Sequence, residues 1–240
     1  MWVEAFSGVA AAAGIGALSY GVRGRSSQMF GRSVWRGPRG VRAIALTFDD
    51  GPSESTPEVL RLLKEYNARG TFFQCGANLR RVPEVGRAVA AAGHEIGNHT
   101  ENHARLYLQP FETIRREVKQ CQQTIADSTG RQSRLFRAPY GARWFGLRQI
   151  QEELGLTGVM WTAIGGDWRL RAHEVVEKLR PAFTPGAILC LHDGRQLKPE
   201  PDIRETLEAL CRILPALRDE GFRFDTVSDL LCRKFPPPTT

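Results

Sequence analysis

From Val41 onward the chain alternates between short apolar runs and amphipathic segments, and this alternation is the strongest constraint on its fold. The apolar runs are at most eight residues long, a length that is typical of strands. The predicted strands are Val41–Phe48, Thr71–Cys75, His94–Asn98, Leu135–Arg137, Thr157–Thr162, Ala187–Leu191 and Phe222–Phe224. Strands that are separated by helices pair in parallel, so the pattern predicts an α/β sheet or barrel.

The segments between these strands are predicted to be helices. Thr56-Pro57-Glu58 is a typical helix start, because a capping residue, a proline and an acid follow one another there. The predicted helices cover residues 56–67, 83–92, 110–128, 146–154, 172–183, 203–220 and 227–232. The sequence has no internal repeat, and residues 41–235 are predicted to form one domain.

Polar clusters follow five of the predicted strands. They are Thr47–Pro52, His99–His103, Arg137–Gly141, Asp167-Trp168 and His192-Asp193. Active sites of parallel α/β sheets and barrels form at the carboxyl ends of the strands. Because scattered structural residues would not gather at one edge, the clusters predict an active site there.

Three of the side chains in these clusters form a candidate metal site. His99 and His103 are four residues apart, a spacing that places two side chains on one face of a helical turn. With Asp50 they form a set of two histidines and one carboxylate, which suits Zn²⁺ but also Co²⁺, Mn²⁺, Ni²⁺ or Fe²⁺. Asp49 points away from Asp50 at the strand end and is free to handle a proton. The alternative is a turn in which both acids bind backbone N–H groups.

The remaining clusters supply candidates for acid–base chemistry. Arg137 is expected to pair with Asp49, and the Tyr140 backbone N–H to face an oxyanion. His192 is a candidate general acid, and Asp167 is expected to orient it and raise its pKa. The alternative for Arg137 and Tyr140 is an ordinary surface turn.

The N-terminus differs from the rest of the chain. Residues 5–22 carry no charge, which is near the minimum length for a membrane span, although four glycines interrupt them. We interpret residues 1–22 as a membrane anchor or an export signal that is not cleaved, with the side of the membrane left open. An apolar tail docked on the domain and an incorrectly assigned start are the alternatives. Residues 23–40, rich in Arg, Gly and Ser, are predicted to be a linker.

Charge and cysteine usage narrow the possible partners. The formal net charge of +7 permits an acidic glycan or a membrane surface as partner. No nucleic-acid partner is predicted, because no dense basic run with interleaved aromatic residues is present. The five cysteines form neither CxxC nor CxxH pairs, which argues against a structural zinc site and favours free thiols.

Together the motifs resemble those of the polysaccharide deacetylase family, carbohydrate esterase family four, over roughly residues 42–231. The resemblance implies a distorted (β/α)7 barrel and metal-dependent removal of N-acetyl, or O-acetyl, groups from a glycan, as in deacetylases of chitooligosaccharides and peptidoglycan. It also implies roles for particular residues. Asp49 would be the general base with Arg137 as its partner, and Asp50, His99 and His103 would be metal ligands. His192 would be the general acid, Asp167 would orient it, and Trp168 would lie beside the substrate.

Two positions depart from the family pattern. Ile164 stands where an acid is common, and we expect altered substrate contacts there. Cys190 stands where a leucine commonly forms a wall of the acetyl pocket, so a slightly altered acyl pocket is expected. Two other functions stay open at this point: deacylation of a lipid-linked sugar at a membrane, and carbohydrate binding without catalysis.

Overall fold

The architecture was taken from a computed structural model that describes residues 14–232. Residues 1–13 of the predicted apolar segment and residues 233–235 of the predicted domain lie outside this range. The strands are β1 (Ser33–Val34), β2 (Ala43–Asp49), β3 (Gly70–Gln74), β4 (Glu95–Asn98), β5 (Leu135–Phe136), β6 (Thr157–Val159), β7 (Ala163–Ile164), β8 (Ile188–His192) and β9 (Arg223–Phe224). Eight of them follow the order β1-β6-β5-β4-β3-β2-β8-β7, and β9 pairs with β2.

Helices surround this sheet. The first, α1, covers residues 14–23 of the described part of the chain. The others are α2 (Thr56–Glu65), α3 (Gly76–Arg81), α4 (Pro83–Ala91), α5 (Phe111–Thr129), α6 (Leu147–Leu154), α7 (Ala172–Leu179), α8 (Arg204–Asp219) and α9 (Val227–Cys232). Helix α3 was not predicted, because its six residues are too few to show a helical period.

All neighbouring strands pair in parallel, as the alternation of elements predicted. The sheet curls so that β1 and the segment after it contact both the end of β6 and the residues that precede β8. There the Met160 N–H donates to the Val34 carbonyl (2.7 Å), and the Gly37 N–H donates to the Gly186 carbonyl (2.8 Å) at the start of β8. The result is a curled parallel sheet surrounded by helices, consistent with the expected distorted (β/α)7 barrel.

Residues 24–40, most of the predicted linker, are therefore packed against the domain. They contain β1, and Arg36 forms an antiparallel bridge with Ala187. The Gly- and Arg-rich composition suggested a linker because it lacks a periodic apolar pattern. The contacts that order it are backbone hydrogen bonds, hydrogen bonds from the Arg143 side chain and burial of Phe30, none of which gives a periodic pattern in the sequence.

Strand β2 lies at the centre of the sheet between β3 and β8, and all seven of its residues are buried. Phe48 stacks on Phe72 of β3, with ring centroids 4.8 Å apart, in the largest hydrophobic cluster of the described residues. The parallel register places Asp49 at the end of β2 opposite His192 at the end of β8. Packing of the apolar strand thus fixes where the polar strand end lies.

The strand predicted over residues 157–162 ends at Val159 as β6, and a separate strand, β7, begins at Ala163. Strand β6 pairs with β5 and β1, whereas β7 pairs with β8. The chain changes neighbours at residues 160–162, a change that an unbroken apolar run does not reveal. Among residues 14–232, no helix is long and apolar enough to cross a membrane.

Candidate active site

The five predicted polar clusters lie at one end of the barrel, which we call the mouth. Each follows the carboxyl end of a parallel strand: β2, β4, β5, β7 or β8. A cavity of about 500 Å³ opens there and includes Asp49, Asp50, His99, His103 and His192 in its lining. Convergence at the mouth, inferred from strand order alone, therefore holds in the structure.

Asp50, His99 and His103 face one another inside the mouth. The Oδ1 atom of Asp50 lies 3.4 Å from Nε2 of His99 and 3.0 Å from Nε2 of His103. All three side chains are buried. Burial works against the charge of Asp50, but the adjacent His103 and His99 imidazoles outweigh burial and hold the pKa of this carboxyl well below its usual range.

A loop, rather than the expected helical turn, brings the two histidines together. No helix covers residues 99–103, and both Thr100 (φ 66°) and His103 (φ 52°) have left-handed backbone conformations. The Thr100 N–H donates to Oδ1 of Asn98 (3.0 Å), a local bond that supports the turn. The two histidines therefore come together as the four-residue spacing predicted, but through a loop and not through a helical turn.

The donor set fits a divalent cation. One ligand atom from each of Asp50, His99 and His103 lies within 4.8 Å of the others. The Nδ1 atom of His99 lies 2.8 Å from the Arg137 carbonyl, which accepts its proton and leaves Nε2 as a lone-pair donor toward the cavity. The Gln196 N–H donates to Oδ2 of Asp50 (2.7 Å) and orients the carboxylate.

Asp49 is held by a buried arginine on the other side of the strand end. Nη1 of Arg137 donates to Oδ1 of Asp49 (2.6 Å) and to the Thr47 hydroxyl (2.8 Å). Arg137 is fully buried, and its Nε and Nη2 atoms donate to the carbonyls of Val159 and Met160. These bonds hold the guanidinium, and with it the Asp49 carboxyl group, in one orientation.

Cys190 lies beside this ion pair and not along the wall of the cavity. Its Sγ atom is 3.4 Å from Oδ2 of Asp49 and 3.6 Å from Nη1 of Arg137. The residue is fully buried, and burial followed by the charge of Asp49 raises the pKa of the thiol well above its usual range. Cys190 is not among the residues that line the cavity, so the expectation that it alters a wall of the acyl pocket is wrong, and its side chain contacts Asp49 instead.

His192 and Asp167 form the predicted pair. Nδ1 of His192 lies 2.9 Å from Oδ1 of Asp167, and the His192 backbone N–H donates to Oδ2 (2.9 Å). Burial opposes protonation of the imidazole, but Asp167, followed by Asp50 and Asp49, outweighs it and raises the pKa of His192 to about 9. The imidazolium that a general acid requires is therefore the stable form at neutral pH.

Two residues that the sequence did not indicate support Asp167. The Thr206 hydroxyl donates to its Oδ2 atom (2.6 Å), and Arg195 donates to its carbonyl (3.0 Å). Thr206 lies on α8, where one threonine in an amphipathic helix gives no sequence signal. Asp193, next to His192, is structural: it accepts from the Thr56 hydroxyl (2.6 Å), and burial raises its pKa to about 7.

Aromatic side chains stand on opposite sides of the mouth. Tyr140 packs edge-on against His103 (centroids 4.8 Å apart), and Trp168 packs edge-on against His192 (4.8 Å). Both rings are exposed. Ile164 and Trp161 also line the cavity, so the departure at Ile164 places an apolar side chain on the wall. Such faces suit the apolar side of a sugar ring.

A family model described as polysaccharide deacetylase matches residues 36–159. A peptidoglycan-N-acetylglucosamine deacetylase from Listeria monocytogenes is 34% identical over 195 residues, which cover 80% of this chain. This chain spans only 40% of the length of that relative.

Two further relatives match over most of both chains. A chitooligosaccharide deacetylase from Azorhizobium caulinodans is 36% identical over 191 residues, covering 75% of this chain and 90% of the relative. Among solved structures, a peptidoglycan N-acetylglucosamine deacetylase in complex with a substituted N-hydroxybenzamide superposes with a TM-score of 0.78 at 28% identity. That superposition covers 85% of this chain and 94% of the other.

Proposed function

The chain belongs to the polysaccharide deacetylase family, and we propose that it is a metal-dependent hydrolase that removes N-acetyl groups from a glycan containing N-acetylglucosamine. The observation that carries the proposal is the arrangement around Asp50, His99 and His103. A base, Asp49, and an acid, His192, both lie within the cavity that these three ligands line. Hydrolysis of an amide needs these groups around one reacting carbonyl.

The proposed reaction divides proton transfer between the base and the acid. Asp49 accepts a proton from the water that attacks the acetyl carbon, while Arg137 holds its carboxylate in place. His192 donates its proton to the amide nitrogen as the carbon–nitrogen bond breaks, so the products are acetate and a free amine. A divalent cation at Asp50, His99 and His103 would polarise the carbonyl and the attacking water.

Tyr140 is proposed to bind the oxyanion through its backbone N–H. Its φ of 59° departs from the ordinary helical and extended regions, and such backbone strain is often found at functional sites. Asp167 is proposed to hold His192 in the protonated form, and Trp168 to contact the sugar next to it. These assignments depend on the geometry described above and on the resemblance of the motifs.

We propose zinc as the resident metal. Two imidazole nitrogens and one carboxylate oxygen suit Zn²⁺, which leaves coordination positions for water and substrate. The alternatives Co²⁺, Mn²⁺, Ni²⁺ and Fe²⁺ are distinguished by elemental analysis of the purified full chain. Restoration of activity by each metal after chelation then ranks them, and zinc is expected to restore the rate at the lowest concentration.

We also propose that the N-terminal segment associates with a membrane. Residues 5–22 carry no charge, and the described part of α1 exposes the apolar side chains of Ile15, Leu18 and Tyr20. Fractionation of cells that express the full chain tests this proposal, because a purely soluble distribution would contradict it. The same preparation tests deacylation of lipid-linked sugars.

A substrate panel with an acetate readout tests the proposed activity. The full chain is incubated with peptidoglycan, chitooligosaccharides, acetylxylan and lipid-linked sugars, each with a chelator and after metal is restored. We expect acetate from substrates that contain N-acetylglucosamine, loss of acetate release with the chelator, and recovery with metal. Acetate release that a chelator does not reduce would contradict the metal-dependent reaction, and release from none of the substrates would contradict the hydrolase assignment.

A further inference from the structure

Arg23 lines the cavity at the mouth although it lies far from the motif residues in sequence. It is the last residue of α1, its side chain is exposed, and the same cavity is also lined by Tyr140, Gly141 and Trp161. The motifs that predicted the active site do not include Arg23. The N-terminal segment thus adds a positive charge to the wall of the cavity.

Arg143 holds the chain on both sides of Arg23. Its backbone N–H donates to the Val22 carbonyl (3.0 Å). Its guanidinium, which is buried, donates to the carbonyls of Gly24 and Ser27. Because Arg143 lies three residues after Tyr140, these bonds tie the end of α1 to the loop that carries Tyr140.

Arg25 adds a second attachment. Its Nη1 atom donates to the Thr162 carbonyl (2.6 Å), next to Trp161 in sequence, and its guanidinium lies 4.7 Å from the centre of the Trp35 ring. The backbone around Arg23 is therefore fixed before any substrate binds. Such preorganisation lowers the entropic cost of using Arg23 as a binding group.

The carboxylates at the mouth have partners other than Arg23. Asp49 pairs with Arg137, Asp50 with the two histidines, and His192 with Asp167. Within the described part of the chain, no hydrogen bond or ion pair engages the Arg23 guanidinium. Residues 23–40 contain five arginines and no acid, so the segment itself offers no anionic partner.

We propose that Arg23 binds a carboxylate on a sugar next to the acetylated one and so gives the enzyme a preference for acidic over neutral glycans. The inference rests on the proposed deacetylase function. A guanidinium matches a carboxylate in planar, two-bond geometry. Tyr140 and Trp161, which line the same cavity, offer aromatic faces to a bound sugar.

Three oligosaccharides test the proposal with the full, zinc-loaded chain. One contains only N-acetylglucosamine, one alternates it with a sugar bearing a lactyl ether carboxylate, and one alternates it with a uronic acid. The variants are Arg23→Gln, Arg23→Lys and the matched control Arg39→Gln. Arg39 is also an exposed arginine of residues 23–40 and does not belong to the cavity lining described above. Acetate release gives kcat and KM separately for each substrate.

We expect Arg23→Gln to raise KM for an acidic substrate by about fivefold, the scale of one partly exposed charge pair. KM for the neutral oligosaccharide and kcat for both should change by less than about twofold. Arg23→Lys should recover much of the effect, and Arg39→Gln should show none. The acidic substrate that responds identifies the source of the carboxylate. Higher salt should reduce the preference of the wild type but not that of Arg23→Gln.

Equal effects of Arg23→Gln on acidic and neutral substrates, or no effect on either, would overturn the proposal while leaving the deacetylase function intact. The same selective loss in Arg39→Gln would also overturn it, because general charge rather than the cavity position would then explain the preference. Failure of the wild type to deacetylate any of the three oligosaccharides would overturn the proposed function and this inference together.

Discussion

Each end of the barrel contains at least one buried histidine and acidic side chains, but the groups at the two ends have different surroundings. At the mouth, Asp50, His99, His103 and His192 face a cavity. At the opposite end, Nδ1 of His94 accepts from the Gly70 N–H (3.1 Å), so the side chain completes the backbone bonding of β3. Similar residue types are thus used for chemistry at one end and for stability at the other.

The two histidines His192 and His94 show how neighbours set this difference. Burial lowers the pKa of His94 to about 4, with Arg69 adding to the effect. Burial also works against the charge on His192, yet carboxylates led by Asp167 raise its pKa to about 9. The charge of the neighbours, rather than burial itself, decides which histidine carries a proton at neutral pH.

The largest expected effect separates the histidines of the two ends. His99→Ala removes a proposed metal ligand and should lower acetate release by more than about a thousandfold. His94→Gln retains an acceptor for the Gly70 N–H and should keep most of the activity. Comparable activity in the two variants would contradict the proposal that His99 serves catalysis and His94 serves stability.

Replacement of the base should have the next largest effect. Asp49→Asn keeps the size of the side chain and an oxygen for Arg137 but removes the proton acceptor. The rate should fall by at least about a hundredfold while bound metal stays near the wild-type level. Turnover close to normal in Asp49→Asn would assign the proton to another group.

The pair of Asp167 and His192 predicts a change in pH dependence. Because the general acid works in its protonated form, the rate should fall as pH rises through the raised pKa of His192. Asp167→Asn removes the negative neighbour, makes the imidazolium less stable, and should move this alkaline limb to lower pH by at least about one unit. A limb that stays in place or moves upward would leave Asp167 with a structural role.

The smallest effect on catalysis is expected at the end opposite the mouth. Glu95 accepts from the Thr71 hydroxyl (2.9 Å) and from the Ser228 N–H (3.1 Å), and so joins β3, β4 and the start of α9. Glu95→Gln should lower the free energy of unfolding by about 1–2 kcal/mol, because charge-assisted hydrogen bonds are lost. Urea denaturation measures this loss, and kcat should not change. A large fall in kcat with unchanged stability would contradict a purely structural role.

The sequence was sufficient to predict the mouth because two simple rules act there. Parallel strands end at one edge, and residues such as Asp49, Arg137 and His192 directly follow or end apolar runs. The contacts between Asp49 and Arg137 and between Asp167 and His192 agree with the predicted pairs.

Contacts made by the backbone or by isolated side chains were not predictable in the same way. The closure of the sheet by β1 rests on backbone bonds and β-bridges in a segment without periodic apolar residues. The left-handed conformations of Thr100 and His103 produce the metal-site loop without any glycine as a signal. Thr206 and Arg23 reach the site from α8 and α1, so only tertiary structure relates them to it.

Measurement of bound metal is the most direct test of the proposed metal site at Asp50, His99 and His103. Purified wild type, His99→Ala, His103→Ala and His94→Gln are loaded with zinc, dialysed, and analysed for bound metal per folded chain. We expect about one zinc ion in the wild type and in His94→Gln, and a loss of that ion in His99→Ala and His103→Ala. Full metal content in both His99→Ala and His103→Ala would contradict the metal site and the mechanism proposed around it.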